Sequence, residues 1–377
     1  MYLFLISLSI KKENCKDRWF DISINGYIMR ENLAYGVIIM SHKITINDIA
    51  KLAKVSKTTV SFYLNGKFDK MSLETKNRIA QAIEKTEYQP SIVARSLNSK
   101  RTRLIGVIIG DITNSFANQI VKGIEDYAKE NEYQLIVGSS NYEIKNEKRH
   151  VSSMLAMGVD GFIVQPTVDF EEMWLSTKTN EKPIAYFDSP NRGMQGLWVK
   201  TNNYEAVYDA CDILIEKGYE EFVLVTAKPQ VLTTRLERYQ GFIDCVELKQ
   251  VKYHVIIANN DTSIEELNQK LNSVITKEKR VCVFVCNNWL LTKVYMALKE
   301  VGHLIPQRLG LIGFDSLEWS ELASPSITTI VQPAYEEGYK AGKILIDRIE
   351  NRNQEVPNQI LKCRLNECDS TNLKLEK

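Results

Sequence analysis

Apolar positions near the start of the basic segment recur at helical spacing. Ile49, Ala53, Val55, Val60 and Tyr63 fall where a small helix-turn-helix core would place them. The run TINDIAKLAKV makes one amphipathic helix, with Thr45 as its cap. Ser56 caps a second helix, KTTVSFYLN, which ends in the turn chemistry of Asn65-Gly66. Ser72, Thr75 and Lys76 open a third helix that runs through Thr86. Its face of Ile79, Ala82 and Ile83 closes a three-helix core.

After Arg103 the pattern changes. LIGVIIG is a short apolar run of the buried parallel-strand type. A helix from Asn118 to Asn131 follows, then strand YQLIVGSS, helix EKRHVSSMLAMG and the strands DGFIVQP and PIAYFDS. A second alternation starts near Asn203 and ends in strand LGLIGFD. Alternating strands and helices at this spacing predict two doubly wound parallel sheets side by side.

Charge sharpens the picture. The chain has 377 residues and a formal net charge of +1. Residues 43–103 hold 13 Lys/Arg against 5 Asp/Glu, about +8, whereas the chain after 103 comes to about −8. A basic head on an acidic body suits phosphate binding. The 7 cysteines are scattered, which fits reduced thiols rather than a disulfide scaffold. Cys282 and Cys286 lie in a buried-strand pattern with no histidine beside them, so a core strand is expected there and no metal site.

Enzyme chemistry finds little support. GVIIGDITNSF lacks the G-x-G-x-x-G of a dinucleotide fold, there is no phosphate-binding P-loop, and the 4 dispersed histidines suggest no catalytic triad. No catalytic residue and no cofactor are expected, nor is a transmembrane span.

Several segments together resemble the LacI/GalR family of bacterial transcription regulators. They are TINDIAKLAKVSKTTVSFYLNG, YQPSIVARSLNSKRTRLIGVII, DITNSFANQIVKGIEDYAKENEYQLIV, GVDGFIVQP, RLERYQGF, LGLIGFDS and SITTIVQP, and they fall in family order from about Lys43 to the C-terminus. The resemblance implies an α/β chain: a three-helix helix-turn-helix head plus hinge helix, then a bilobed body like a periplasmic binding protein. Residues 43–89 would be the head and 90–103 the hinge helix and linker. Residues 104–202 and 333–361 would form the first lobe, and 203–332 with 362–377 the second. The chain would cross between lobes near Thr201, Gln332 and Leu361. The segment 1–42 has no counterpart in the family. Met40 is the expected true start, with Met29 a second candidate; otherwise 1–42 is a disordered extension.

Residue by residue, the resemblance turns Lys57 and Thr58 toward base edges in the major groove. It places Thr45, Ser56, Thr59, Ser61 and Asn65 at phosphates. Phe62 stands where many members carry an Arg that reads guanine, and can offer only apolar contact. Lys54 stands where many carry Gly, in a left-handed turn that costs a side chain about 1 kcal/mol. Ala94 and Leu97 lie on one face of the hinge, Leu97 as a minor-groove wedge. The hinge is too short to be stable alone, so it should order on operator DNA bound by a homodimer.

In the body, Asp188, Asn287 and Asp315 end strands. Phe116 lies on the first strand-to-helix loop, and Arg238 stands three residues before Gly241. By resemblance these line the effector cleft. Carboxylates and amides suit paired hydroxyls, an aromatic face suits a sugar ring, and Arg238 suits a hydroxyl or a carboxylate. Trp174 and Trp198 are expected in the core. The implied protein is a cytoplasmic, DNA-binding repressor of carbohydrate catabolism, released by a sugar or sugar-acid effector through lobe closure. The head also resembles repressors of ketodeoxygluconate and uronate catabolism. A regulator needing a co-repressor and a sugar-binding transport protein are the alternatives; the basic head counts against the second.

Overall fold

The computed structural model describes residues 19–24, 27–32, 37–42, 44–88, 101–177, 182–190, 196–275, 278–315, 318–352 and 357–373. The chain divides into two compact units, Met1–Lys100 and Arg101–Lys377.

The first unit begins with three antiparallel strands, β1 (Trp19–Ile24), β2 (Tyr27–Asn32) and β3 (Val37–His42). These strands lie in the stretch for which a later start or a disordered extension is the expectation. Its runs are rich in Ile, Val and aromatic residues, and Asn25-Gly26 between the first two is a hairpin dipeptide in sequence.

Three helices follow: α1 (Ile46–Leu52), α2 (Lys57–Leu64) and α3 (Leu73–Thr86). Ile49, Ala50, Ala53, Val60, Ile79 and Ala82 are buried together, with Val55, Tyr63 and Ile83 packed against them. Each helix start is fixed by a side chain. Asp48 accepts from the Thr45 N–H at 2.9 Å and from its hydroxyl at 2.6 Å. The Ser56 hydroxyl accepts from the Thr59 N–H at 3.1 Å, and the Ser72 hydroxyl from the Thr75 N–H at 3.2 Å. Lys54 sits at φ 52°, the left-handed turn expected of it. The hinge residues, Ala94 and Leu97 among them, lie outside the described residues.

The second unit holds two six-stranded sheets. The first has order β14-β8-β7-β6-β4-β5, all parallel. Its strands are β4 (Leu104–Ile109), β5 (Gln134–Ser139), β6 (Gly161–Val164), β7 (Ile184–Phe187), β8 (Leu197–Thr201) and β14 (Gln359–Leu361). The second has order β10-β9-β11-β12-β13-β15. Its strands are β9 (Glu221–Thr226), β10 (Lys252–Ile257), β11 (Val281–Val285), β12 (Leu309–Phe314), β13 (Thr328–Val331) and β15 (Arg364–Asn366). This sheet is parallel as expected except at its edge, where β15 pairs antiparallel with β13. A chain that leaves β14 at Leu361 and re-enters at Arg364 has too few residues for a crossover helix. The chain passes between sheets after Thr201, after Val331 and after Leu361.

Helices cover both sheets. In the first lobe α4 (Ser115–Glu130) lies against α12 (Ala334–Ile349). Glycines allow the approach: a Cβ on Gly123 would collide with the Tyr335 carbonyl, and one on Gly338 with that of Ile120. Trp174, on α6 (Phe170–Ser176), is buried in the first lobe's core, and Trp198 packs against the same cluster. In the second lobe α7 (Asn203–Glu216) packs on α8 (Thr233–Leu248). Cys211, Cys245, Cys282 and Cys286 are buried in one apolar cluster there, free and packed as small hydrophobes. Among the described residues no helix is long and apolar enough to cross a membrane.

Candidate functional site

The carboxyl ends of both sheets converge on one cleft. Asp188 directly follows β7 and Asp315 directly follows β12, and both take a left-handed backbone, at φ 59° and 74°. Such a conformation costs a non-glycine residue about 1 kcal/mol or more, and strain of this kind gathers at functional sites. Each aspartate is met by a glutamine that follows a neighbouring strand. Gln165 Nε2 donates to Asp188 Oδ2, and Gln332 Nε2 donates to Asp315 Oδ1, both at 2.6 Å. The Gln165 carbonyl accepts from the Gly110 N–H at 2.8 Å, which fixes the amide's orientation.

Arg238, on α8, is buried behind Asp315. Its Nε donates to Asn203 Oδ1 at 2.7 Å, Nη1 to the Cys286 carbonyl at 3.0 Å and Nη2 to Gln332 Oε1 at 3.2 Å. Its guanidinium lies 3.6 Å from the centroid of the Phe314 ring. Three of the five donors are therefore committed to the protein. Asn287 is engaged as well, its Oδ1 accepting from the Ala227 N–H at 2.8 Å.

The carboxylates are crowded. Burial, reinforced by the charge of Asp188, pushes the Asp315 carboxyl up to about 6, against the pull of Arg238 and the Gln332 bond. Glu337, at the start of α12, is fully buried; desolvation and Asp188 push it well above the usual carboxylate range. Its Oε1 accepts from the Asp188 N–H at 2.7 Å. Asp188 Oδ1 and Glu337 Oε2 are buried with no hydrogen-bond partner. An orphaned carboxylate oxygen on a cleft is a vacant acceptor for a ligand donor.

Asp188, Asp315, Arg238, Asn287 and Phe116 all line one narrow chamber of about 30 Å³, with Gln165, Gln332, Thr234 and Trp289. The five residues expected at the cleft are thus brought together. Phe116 has a second place, in the first lobe's core. The chamber opens past Asn114, Tyr142, Arg235 and Asn288 into an outer one of about 800 Å³. Direct contacts bridge the lobes here. Asn288 Nδ2 donates to Asn114 Oδ1 at 2.6 Å, the Ser189 and Thr234 hydroxyls meet at 3.0 Å, and Lys200 pairs with Glu237 at 2.5 Å.

In the head, Lys57 and Thr58 are exposed at the first turn of α2. Several residues expected at phosphates also serve the head itself. Thr45 and Ser56 cap helices, the Thr59 hydroxyl meets that of Ser56 at 2.8 Å, and Asn65 Nδ2 donates to the Ser61 carbonyl at 2.8 Å.

Known proteins supply the family. Residues 45–91 match the profile "Bacterial regulatory proteins, lacI family", and 211–371 match "Periplasmic binding protein-like domain". The chain is 30% identical over 317 residues to "Probable HTH-type transcriptional regulator EndR" of Paenibacillus polymyxa, covering 82% of this chain and 92% of that protein. The chain belongs to the lacI family.

A second lacI-family relative is "HTH-type transcriptional regulator KdgR" of Bacillus subtilis strain 168, 30% identical over 309 residues, 81% of this chain and 91% of that protein. Among solved structures, a periplasmic binding protein/LacI transcriptional regulator from Alkaliphilus metalliredigens, complexed with D-xylulofuranose, superposes with a TM-score of 0.62 at 26% identity. That likeness covers 71% of this chain and 98% of the other. This lacI-family chain is a DNA-binding transcription regulator, not an enzyme. Gln165, Gln332, Glu337, Asn203, Tyr142 and Arg235 were not singled out from the sequence as cleft residues. The signal for the glutamines was present: each occupies a Val-Gln-Pro triplet directly after an apolar strand.

Proposed function

We propose that this regulator is a homodimeric repressor whose operator affinity is controlled by a sugar or sugar-acid effector in the interlobe cleft. Its head would dock α2 in the major groove, with Lys57, Thr58 and Phe62 at base edges and Thr45, Ser56, Thr59, Ser61 and Asn65 near phosphates. Two such heads on two half-sites imply the dimer. The effector would bias the closure of two lobes that already touch through Asn114–Asn288 and Ser189–Thr234.

The observation that carries this reading is Asp188. It lines the cleft, it is buried, and its Oδ1 lacks a partner. A ligand hydroxyl would supply the missing donor. Asp315 and Arg238 offer the acceptor and donor opposite, and Phe116 offers an apolar face. The relatives named above are regulators, and the D-xylulofuranose complex shows a sugar in a related body.

The test is operator binding followed by fluorescence anisotropy, on a site recovered by selection from random DNA. Addition of the effector should weaken binding of the full chain. A sugar that instead tightens binding would make the protein a co-repressor-dependent regulator. Asp188→Asn should lose the response to that sugar.

A further inference from the structure

Arg235 is a cation at the neck of the cleft, near Asp188 but in no ion pair with it. It sits one helical turn before Arg238 on α8, half-buried, and lines both the inner and the outer chamber. Its guanidinium rests 5.0 Å from the centroid of the Tyr142 ring, which belongs to the opposite lobe. Among the described residues no carboxylate forms an ion pair with it. A planar fork held in place by an aromatic ring, and outside any carboxylate ion pair among the described residues, is suited to a ligand carboxylate.

The surroundings point the same way. Lys228 and Lys293 line the outer chamber with Arg235, and among the described residues Asp111 is the one carboxylate on that wall. Lys293 is braced against the Asn260 and Thr262 carbonyls at 2.7 and 3.0 Å, so its charge is fixed in position. This cationic wall stands in a body whose sequence is acidic overall. The inner chamber, by contrast, already engages most of its charged atoms in internal bonds, Asp188 Oδ1 excepted. Asp188 and Asp315 are each met by a glutamine, and Arg238 has committed Nε and one N–H of each terminal nitrogen. At about 30 Å³ it has room for little more than water, whereas the outer chamber has about 800 Å³.

We infer that the outer chamber is an anion-reading subsite, in which Arg235 receives the carboxylate of an acidic sugar whose hydroxyls reach Asp188 and Asp315. The inference rests on the effector reading above and adds the charge and the residue that reads it. Arg235, rather than Arg238, discriminates acid from neutral sugar. Because Arg235 also stacks on Tyr142 across the cleft, the bound carboxylate would reinforce the contact that joins the lobes.

The experiment is titration calorimetry on the full chain with matched pairs: D-galacturonate against D-galactose, D-glucuronate against D-glucose, and glucose 6-phosphate as a second anion. At least one acid should bind about ten-fold or more tighter than its neutral parent, as a charge-assisted fork requires. Arg235→Gln should bring that ratio close to one. Lys228→Gln, at an exposed position, should lower the acid's affinity a few-fold. Acids that bind no tighter than their parents, or not at all, overturn the inference. So does a ratio unchanged in Arg235→Gln, or an equal loss for both members of a pair, which would make Arg235 a lobe-bridging residue only. Tighter binding of glucose 6-phosphate than of any acid overturns the carboxylate assignment. Neutral sugars that bind without an acid preference leave the effector reading intact while removing this one.

Discussion

Gln332 donates its side-chain amide to Asp315 at 2.6 Å, and its carbonyl oxygen accepts from Arg238 at 3.2 Å. The same oxygen takes the Thr201 hydroxyl at 2.8 Å. One neutral side chain therefore sits between an acid and a base and keeps them from forming a direct ion pair. Gln165 repeats the arrangement in the other lobe, with Asp188 as its acid and the Gly110 N–H as its donor. Both aspartates are thereby aimed without being neutralised, which leaves them able to answer a ligand.

The Asp315 carboxyl, pushed up to about 6, makes a pH prediction. A folded value above the ordinary 3.8 means that the folded state holds the proton more tightly than the unfolded one. Its contribution to stability is present below about pH 4 and lost as pH rises through about 6. Asp315→Asn removes the titration and can still accept from Gln332. Relative to wild type, the variant should gain roughly 3 kcal/mol between pH 4 and 7, to order of magnitude. Urea denaturation at the two pH values measures it; a constant difference would show that Asp315 titrates normally.

Arg238→Ala should cost more than ligand binding. Loss of the guanidinium strands Asn203 Oδ1 and the Cys286 carbonyl and uncovers the Phe314 ring. The variant should lose about 2–4 kcal/mol of body stability as well as the effector response. Thermal unfolding without ligand separates the two effects. An unchanged midpoint with a lost response would assign Arg238 to the ligand alone.

The order of strands and helices was legible because buried parallel strands and amphipathic helices write different periods. The caps were legible too, since Thr45, Ser56 and Ser72 stand directly before apolar-periodic runs. Short pieces were not. The strands β8, β14 and β15 have three to five residues, LWVKT, QIL and RLN, whose mix of polar and apolar side chains gives no apolar run of the kind that marks β6 and β7. In the cleft, residues ending obvious strands could be named, whereas Glu337 and Asn203 lie at helix starts that look like ordinary caps. Arg235 looked like any surface arginine until Tyr142 was seen across the cleft. Such pairings are made by the fold over long sequence separations and leave no local trace.

Lys54 makes the head's stability adjustable. At φ 52° its side chain is held in the left-handed region, while its N–H donates to the Lys51 carbonyl at 3.2 Å and the Val55 N–H to the Ala50 carbonyl at 3.0 Å. This is a helix end suited to glycine. Lys54→Gly should stabilise the head by about 0.5–1 kcal/mol. Hydrogen exchange of amides in α1 and α2 of the full chain should slow accordingly. Faster exchange would mean that the Lys54 side chain makes a contact worth more than the strain.

Phe62 sets the expected operator. It lies on α2, half-buried, one turn after the exposed Lys57 and Thr58. An aromatic ring there cannot make the two-bond contact that Arg makes with guanine, worth roughly 1–3 kcal/mol. The operator should be an AT-rich palindrome with no strong guanine preference at the base facing Phe62. Phe62→Arg should create that preference, and should steepen the salt dependence if the new side chain also reaches phosphate. Leu97→Ala should act differently. A lost wedge weakens binding without altering half-site preference, because the kink is paid for at the centre of the site. Binding selection on randomised operators with all three proteins distinguishes these outcomes. A wild-type site with an obligatory guanine opposite Phe62, unchanged in Phe62→Arg, would show that α2 docks in another orientation.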